Sequence, residues 1–407
     1  MSGILFLAHR LPFPPDRGDK IRSHHVLKAL AALAPVHVGC FAESAADRAH
    51  EGQLERLAAS HFMPMRTKPL GLAAVEAVVR GAPVSLAAFR HDQLARWVRA
   101  TLAREAIDTV YVFSGQMGQY VPRAWGGRLV VDLVDVDSAK FEAYAERARG
   151  PARFALAREA RLLRREEARL ALRAERTLLV SEAEAALLRG RVVPGCRVEA
   201  LGNGIDAAAF DPRTVTPHPE LGAEAGPHLA FTGQMDYPPN VAAALRTIER
   251  LLPAIRRAHP HAPFHIVGRA PTAALRAHHG RGGVRVWGEV PDVRPFLAAA
   301  DLVVAPLGIA RGVQNKVLEA MAMARPVLLT PGAATGIAAR DGEHFAVAES
   351  DADLVERALA LLDDRAGAEQ LGQAARRFVV KRMSWPAMLA PLPAIVGRAA
   401  NQVRDAA

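Results

Sequence analysis

What most constrains this 407-residue chain is a rhythm: apolar runs of four to six residues alternate with longer stretches of helical period. A run that is apolar at every position must be covered on both faces, and strand–helix alternation is the pattern of a parallel sheet with helices on either side. The segment Met1–Arg10 carries the first run, and Val36–Phe41, Thr109–Phe113, Leu129–Val134 and Thr177–Val180 follow. His228–Thr232, Phe264–Val267, Val284–Trp287, Leu302–Ala305 and Pro326–Thr330 repeat the pattern. Helical periodicity marks Arg22–Leu33, Asp92–Arg104, Asn240–Arg257 and Val313–Ala324, and a turn-rich, loop-like stretch at 191–227 separates the two series. Single cores rarely outgrow ~250–300 residues. The pattern therefore predicts two doubly wound α/β domains facing each other across a cleft, residues 1–187 and 188–375.

Composition narrows the partners. Half of the residues are hydrophobic and 23% are charged, as in ordinary globular chains. No apolar stretch approaches the ~20 residues of a membrane span. The first residues lack a basic leader and read as a strand, not a signal peptide. The two cysteines, Cys40 and Cys196, lie far apart with no metal-ligand spacing, which points to a reducing, cytoplasmic compartment. The net charge of +10 is uneven, because residues 1–200 hold 30 Lys/Arg against 22 Asp/Glu. That field favours an anionic partner: nucleic acid, phospholipid or a phosphorylated substrate. The helical segment Ser138–Arg176, interrupted at Gly150-Pro151, is rich in arginine with an apolar stripe of Leu162, Leu163, Leu170 and Leu172. It fits the anionic inner face of a membrane, or a solvated packing helix laced with Glu–Arg pairs.

In open α/β sheets, ligands sit beyond the carboxyl ends of the strands, so the strand-to-helix loops are the places to look. One loop runs from Pro306 through Gly308, Arg311, Gly312 and Asn315 into a helix carrying Lys316 and Glu319. A helix start with glycines suits phosphate; Lys316 would pair with a diphosphate and Glu319, three residues on, would accept from a ribose diol. The loops at Gly233-Gln234, Gly268-Arg269 and Gly288-Glu289-Val290 converge on the same side, with Arg269 as a second cation and the last loop suited to a nucleobase edge. On the first domain, Asp135-Val136-Asp137 closes a strand; it has the form of a metal-binding Asp-x-Asp, but is expected to position acceptor hydroxyls or to act with Lys140 in orientation. Gly18, Asp19, Lys20 and Arg22 open a helix that would hold an anionic acceptor, or simply cap that helix.

The ordered motifs Pro14-Pro15-Asp16-Arg17-Gly18, Val180-Ser181-Glu182, Gly202-Asn203-Gly204-Ile205-Asp206, Phe231-Thr232-Gly233, Ile266-Val267-Gly268 and Trp287-Gly288-Glu289-Val290-Pro291-Asp292, followed by Val317–Val327, resemble a retaining glycosyltransferase of the GT-B fold, in family 4. More narrowly, Asp135–Lys140, Gly233–Tyr237 and Gly312–Glu319 are similar to the sugar transferases of PEP-CTERM/exosortase exopolysaccharide systems. The resemblance implies two Rossmann-like domains and a helical segment, 376–407, returning to the first. It implies a UDP- or GDP-linked sugar as co-substrate, no other cofactor, no metal, and a glycan or lipid-linked acceptor. Lys316, Glu319, Asp135 and Asp137 would be catalytic. Three departures stand out. Glu319 matches the second glutamate of the family's Glu-x7-Glu motif, but the first falls on Arg311. Gln234 occupies the place of a usual arginine, and the customary histidine near Val134-Asp135 is absent.

Two other classes fit parts of the pattern: a nucleotide-sugar epimerase or hydrolase on the same frame, and a non-catalytic basic protein for lipid or nucleic acid. The basic stretches lack the interleaved aromatics that single-stranded nucleic acid favours, so nucleic acid is not an expected partner.

Overall fold

The computed structural model describes residues 2–223, 226–308 and 313–398. The chain divides into two compact units: residues up to Asn203 together with the described chain from Leu389 onward, and Gly204–Met388.

In the first unit, seven strands form one parallel sheet: β1 (Gly3–Ala8), β2 (Val36–Gly39), β3 (Ser60–Phe62), β4 (Ile107–Phe113), β5 (Arg128–Val134), β6 (Arg176–Leu179) and β7 (Val198–Ala200), in the order β3-β2-β1-β4-β5-β6-β7. Every residue of β1 is buried, as a strand flanked on both edges and both faces requires. Leu5, Leu7, Val110, Val112 and Val131 belong to the core over this sheet. The second unit repeats the plan with β8 (Leu229–Thr232), β9 (Phe264–Val267), β10 (Val284–Gly288), β11 (Leu302–Ala305), β12 (Val327–Leu329) and β13 (Ala346–Val347), in the order β10-β9-β8-β11-β12-β13. All its pairings are parallel. The order reverses at β1/β4 in one sheet and at β8/β11 in the other.

The structure departs from the sequence expectations in three places and meets them in a fourth. Strands β3, β7 and β13 were not foreseen; each lies at a sheet edge and has two or three residues, too few to build an apolar run. The stretch 191–227 is not all loop, since it holds β7 and a short helix, Pro219–Ala223. The helix expected at Asn240–Arg257 is three segments, with a wide π-turn at Thr247–Leu251 between Pro238–Arg246 and Leu252–Ala258. Pro253 has no N–H for the carbonyl one turn back, which accounts for the widening beside it. The expected Ser138–Arg176 segment is two helices, Asp137–Arg147 and Pro151–Arg173, broken at Gly150 as anticipated.

The unit boundaries also differ. The first falls after Asn203 instead of residue 187, because β7 pairs with β6 and the helix Glu182–Arg189 buries Ala185 and Leu188 in the same core. The last falls after Met388 instead of residue 375. The helix Arg365–Arg382 buries Ala375 and Val379 in the second core, and only the chain from Leu389 belongs with the first. There Leu392, Ile395 and Val396 are buried, and Arg398 donates to Asp108 at 2.8 Å and to the Ser2 carbonyl at 3.1 Å. Among the described residues, no helix is long and apolar enough to cross a membrane.

Candidate functional site

Where the strand order of an open sheet reverses, neighbouring connections leave toward opposite faces and a crevice opens at the carboxyl ends. In the second unit that place is the end of β8 and β11. Three loops are stitched together beside it by backbone bonds: Gly233 N–H donates to the Val267 carbonyl at 3.0 Å, Gly268 N–H to the Gly288 carbonyl at 2.8 Å, and Met235 N–H to the Arg269 carbonyl at 2.8 Å. Such close approach needs glycine. A Cβ on Gly268, at φ +151°, would lie 1.6 Å from the Gly233 carbonyl oxygen, and one on Gly233 would meet the Lys316 Nζ at 3.1 Å.

The connection after β11 leads into the helix Asn315–Ala322. Val317, Leu318 and Met321 face the core, which turns Lys316 and Glu319 toward the crevice with their side chains half-buried. The result is a cavity of about 530 Å³ walled by Gly233, Gln234, Arg269, Val290, Asn315, Lys316 and Glu319, all expected from the sequence. Gly288 does not line it; its carbonyl holds Gly268, and Glu289 and Val290 supply the wall instead. Gly308 is exposed and is not part of the wall. Arg311 and Gly312 lie outside the described residues.

Asn240 was not singled out from the sequence, yet it organises the pocket. Its Oδ1 accepts from the Lys316 ammonium and its Nδ2 donates to the Gln234 carbonyl at 2.9 Å. Lys316 Nζ also stands 4.7 Å from the centre of the Phe231 ring. Arg269 donates to the Gln234 side chain at 2.8 Å, so Gln234 joins the two cationic sides of the pocket. The only sequence signal for Asn240 was its place at the start of a helix just after Pro238-Pro239. Burial pushes the Lys316 ammonium down to about 8, with Glu319 pulling the other way. Burial likewise pushes the Glu319 carboxyl up to about 6, opposed by Lys316. At neutral pH the wall thus carries a proton-bearing lysine and an ionised glutamate, both short of water and both able to gain from a polar ligand.

The candidates on the first unit fare differently. Asp135 and Asp137 follow β5, after Val134 in a left-handed conformation at φ +70° that a β-branched residue rarely adopts. Burial raises both carboxyls; Glu184 and Asp137 add to this at Asp135, whereas Lys140 and His9 oppose it at Asp137. Lys20 and Arg22, expected to hold an acceptor, are instead spent inside the fold. Lys20 is buried and donates to Asp47 at 2.8 Å and to the Phe13 carbonyl at 3.2 Å. Arg22 is 1% exposed and bonds Asp132 at 3.0 Å and Asn203 at 3.0 Å, with Tyr111 donating to the same Asp132. Asp19 bonds Arg10 at 2.5 Å and His9 at 3.2 Å; burial works against its charge, but these partners hold the carboxyl well below the usual range. Gly18 simply opens the helix Gly18–Ala31 with open space around it. Among the described residues, no group of three or more His, Cys, Asp or Glu side chains is arranged to hold a metal ion.

Residues 226–364 match the family described as Glycosyl transferases group 1, a span that contains every wall of the pocket. No curated protein matches the sequence. Among solved structures, HepE of Anabaena in complex with UDP is similar with a TM-score of 0.64 and 16% identity, over 98% of this chain and 100% of that one. Sucrose-phosphate synthase of Thermosynechococcus elongatus is similar with a TM-score of 0.60 and 16% identity, over 97% and 98%. WaaG, a glycosyltransferase involved in lipopolysaccharide biosynthesis, is similar with a TM-score of 0.56 and 17% identity, over 97% and 100%. At such identities the likeness assigns the fold: two Rossmann-like α/β domains of the GT-B type.

Proposed function

We propose that this chain is a glycosyltransferase that moves a sugar from a UDP- or GDP-linked donor to a glycan or lipid-linked acceptor, with retention of the anomeric configuration and in the service of exopolysaccharide synthesis. One observation carries the reading: within the span that matches the glycosyl transferases group 1 family, a crevice at the sheet's reversal point is lined by a half-buried ammonium, an arginine and a half-buried carboxylate. Cations over a helix N-terminus suit a diphosphate, and a carboxylate one turn deeper suits a ribose diol. That HepE was solved with UDP, and also with UDP-glucose, favours a uridine donor.

In this reading the bond between the anomeric carbon and the diphosphate oxygen breaks while the acceptor oxygen bonds to the same face of that carbon. The acceptor's proton passes to the departing phosphate oxygen. Negative charge grows on the diphosphate, and Lys316, with Arg269, stabilises it; one well-placed donor of this kind is worth ~3–4 kcal/mol. No metal is required if these cations do the neutralising, so activity should survive a chelator.

Thermal shift with UDP, GDP and their sugars is the direct test. One nucleotide series should raise the melting temperature, by the equivalent of ~2.7 kcal/mol at a hundredfold excess over Kd. Turnover of the matching sugar nucleotide should then depend on an added acceptor. Rapid acceptor-independent release of the nucleotide would instead favour a hydrolase, and no shift with any nucleotide would remove the reading.

A further inference from the structure

The helix Leu70–Arg80 is turned inside out. Its buried residues are Ala73 and Ala77, whereas Leu70, Leu72, Val75, Val78 and Val79 are exposed, Val79 by 81%. Beneath it lies a small cluster built on alanines, Ala73 and Ala77 against Ala87 and Ala88. A helix that packs only for its own fold does the reverse, hiding its large aliphatic side chains and leaving small or polar ones in water. A contiguous apolar face of this kind marks an interaction surface.

Its rim is cationic. Lys68, Arg80 and Arg90 gather on the single carboxylate of Glu76, at 2.7, 3.1 and 3.5 Å, leaving positive charge in excess. The arginine-rich helix Pro151–Arg173 is fixed beside it: Arg158 donates to the Ala77 and Ala82 carbonyls at 3.0 and 3.2 Å, and Glu159 accepts from the Val84 and Ser85 N–H groups at 2.7 and 2.9 Å. One turn before Arg158, Phe154 is 77% exposed, and Arg147, Arg149 and Arg153, just before it in the chain, are exposed too.

We propose that this face docks on the surface of a bilayer rich in anionic phospholipid, with Leu72, Val75, Val79 and Phe154 entering the acyl boundary and the surrounding arginines and lysine on lipid phosphates. Charge complementarity selects this occupant. A second copy of the chain would bring the same cationic rim against this one, whereas an anionic interface matches both the aliphatic face and its border. The inference rests on the first unit's own residues and stands apart from the nucleotide reading of the second.

The test is flotation of the full chain with vesicles of phosphatidylcholine alone, or of phosphatidylcholine with phosphatidylglycerol. The wild-type protein should float with the phosphatidylglycerol vesicles, stay behind with the neutral ones, and be released by added salt. The double variant Val75→Glu/Val79→Glu should bind at least about tenfold more weakly, with an unchanged melting temperature that shows the fold is intact. The triple variant Arg147→Gln/Arg149→Gln/Arg153→Gln should also weaken binding, and leave less of it for salt to remove. The proposal is overturned if the wild type ignores anionic vesicles or if the glutamate variant floats as well as the wild type. It is equally overturned if sedimentation reveals a dimer that the glutamates dissolve while vesicle binding is untouched, which would assign the face to a second copy. The nucleotide thermal shift reads the other site and is expected to be identical in all variants.

Discussion

At the Lys316 ammonium, burial and charge pull in opposite directions. Its folded pKa is lowered to about 8, so the cost of burying the charge is present below that pH and disappears as pH rises toward the unfolded value. Glu319 is the mirror case, raised to about 6: its cost is present above pH 6 and disappears as pH falls toward the unfolded value. At ~1.4 kcal/mol per pKa unit these are costs of a few kcal/mol each, both in force at neutral pH, and a diphosphate and a diol would relieve them. Affinity for the nucleotide should therefore be bell-shaped. It weakens on the acid side near pH 6 as Glu319 takes up a proton, and on the alkaline side near pH 8 as Lys316 loses one. Lys316→Ala should cut turnover by roughly 10²–10³-fold, whereas Lys316→Arg should retain binding and move the alkaline limb out of range. Kd and kcat measured against pH check this, and a flat profile in the wild type would contradict the assignment. Lys316 and Glu319 were legible because their spacing and their place at a helix start are local facts. Asn240 was not, since its contact with Lys316 spans 76 residues. The same blindness misassigned Lys20 and Arg22: nothing local announces Asp47, 27 residues on, or Asp132, 110 residues on. Breaking such a buried pair costs ~3–5 kcal/mol, so these arginine and lysine side chains hold the fold and are not free to hold a substrate.

Among the elements, legibility followed burial. The strands that flank the pocket, β8, β9 and β11, were read to within a residue because a strand covered on both faces must be apolar throughout. Edge strands β3, β7 and β13 carry no such requirement and left no signal. What the strands do for the site is bring loops close enough that side chains are excluded. Gly268→Ala should be severe, since the added methyl would overlap the Gly233 carbonyl oxygen in a backbone conformation suited to glycine. A loss of ~3 kcal/mol or more in urea unfolding is expected, together with loss of the nucleotide-induced thermal shift. Gly308→Ala is the matched control: nothing lies within 4 Å of a Cβ there, so stability should stay within ~0.5 kcal/mol of the wild type. Equal behaviour of the two variants would mean that the loops at β8 and β9 do not interlock as described.

For the whole molecule, the decisive feature is that the chain returns to where it began. The sequence pattern foresaw two α/β domains, because the rhythm of strand and helix occurs twice. It placed the return too early, because the helix Arg365–Arg382 reads the same whichever core its apolar side meets. Only packing settles that Ala375 and Val379 belong to the second core, and Leu392, Ile395 and Val396 to the first unit. Ending the chain after Met388 removes the Arg398 bonds to Asp108 and Ser2 and uncovers what those three aliphatic residues bury, at ~1.5–3 kcal/mol for each fully buried side chain. The loss falls on the first unit alone. In hydrogen exchange, amides of β1 and β4 should exchange faster in the shortened chain than in the intact one, while those of β8, β9 and β11 keep their protection. Addition of the cognate nucleotide should slow exchange around Gly233–Asn240 and Asn315–Glu319 in both chains, reporting on a pocket that the truncation does not touch. Unchanged exchange in β1 and β4 would mean that the returning segment contributes nothing to the first unit's stability. Loss of nucleotide protection in the shortened chain would mean that the pocket depends on residues beyond Met388.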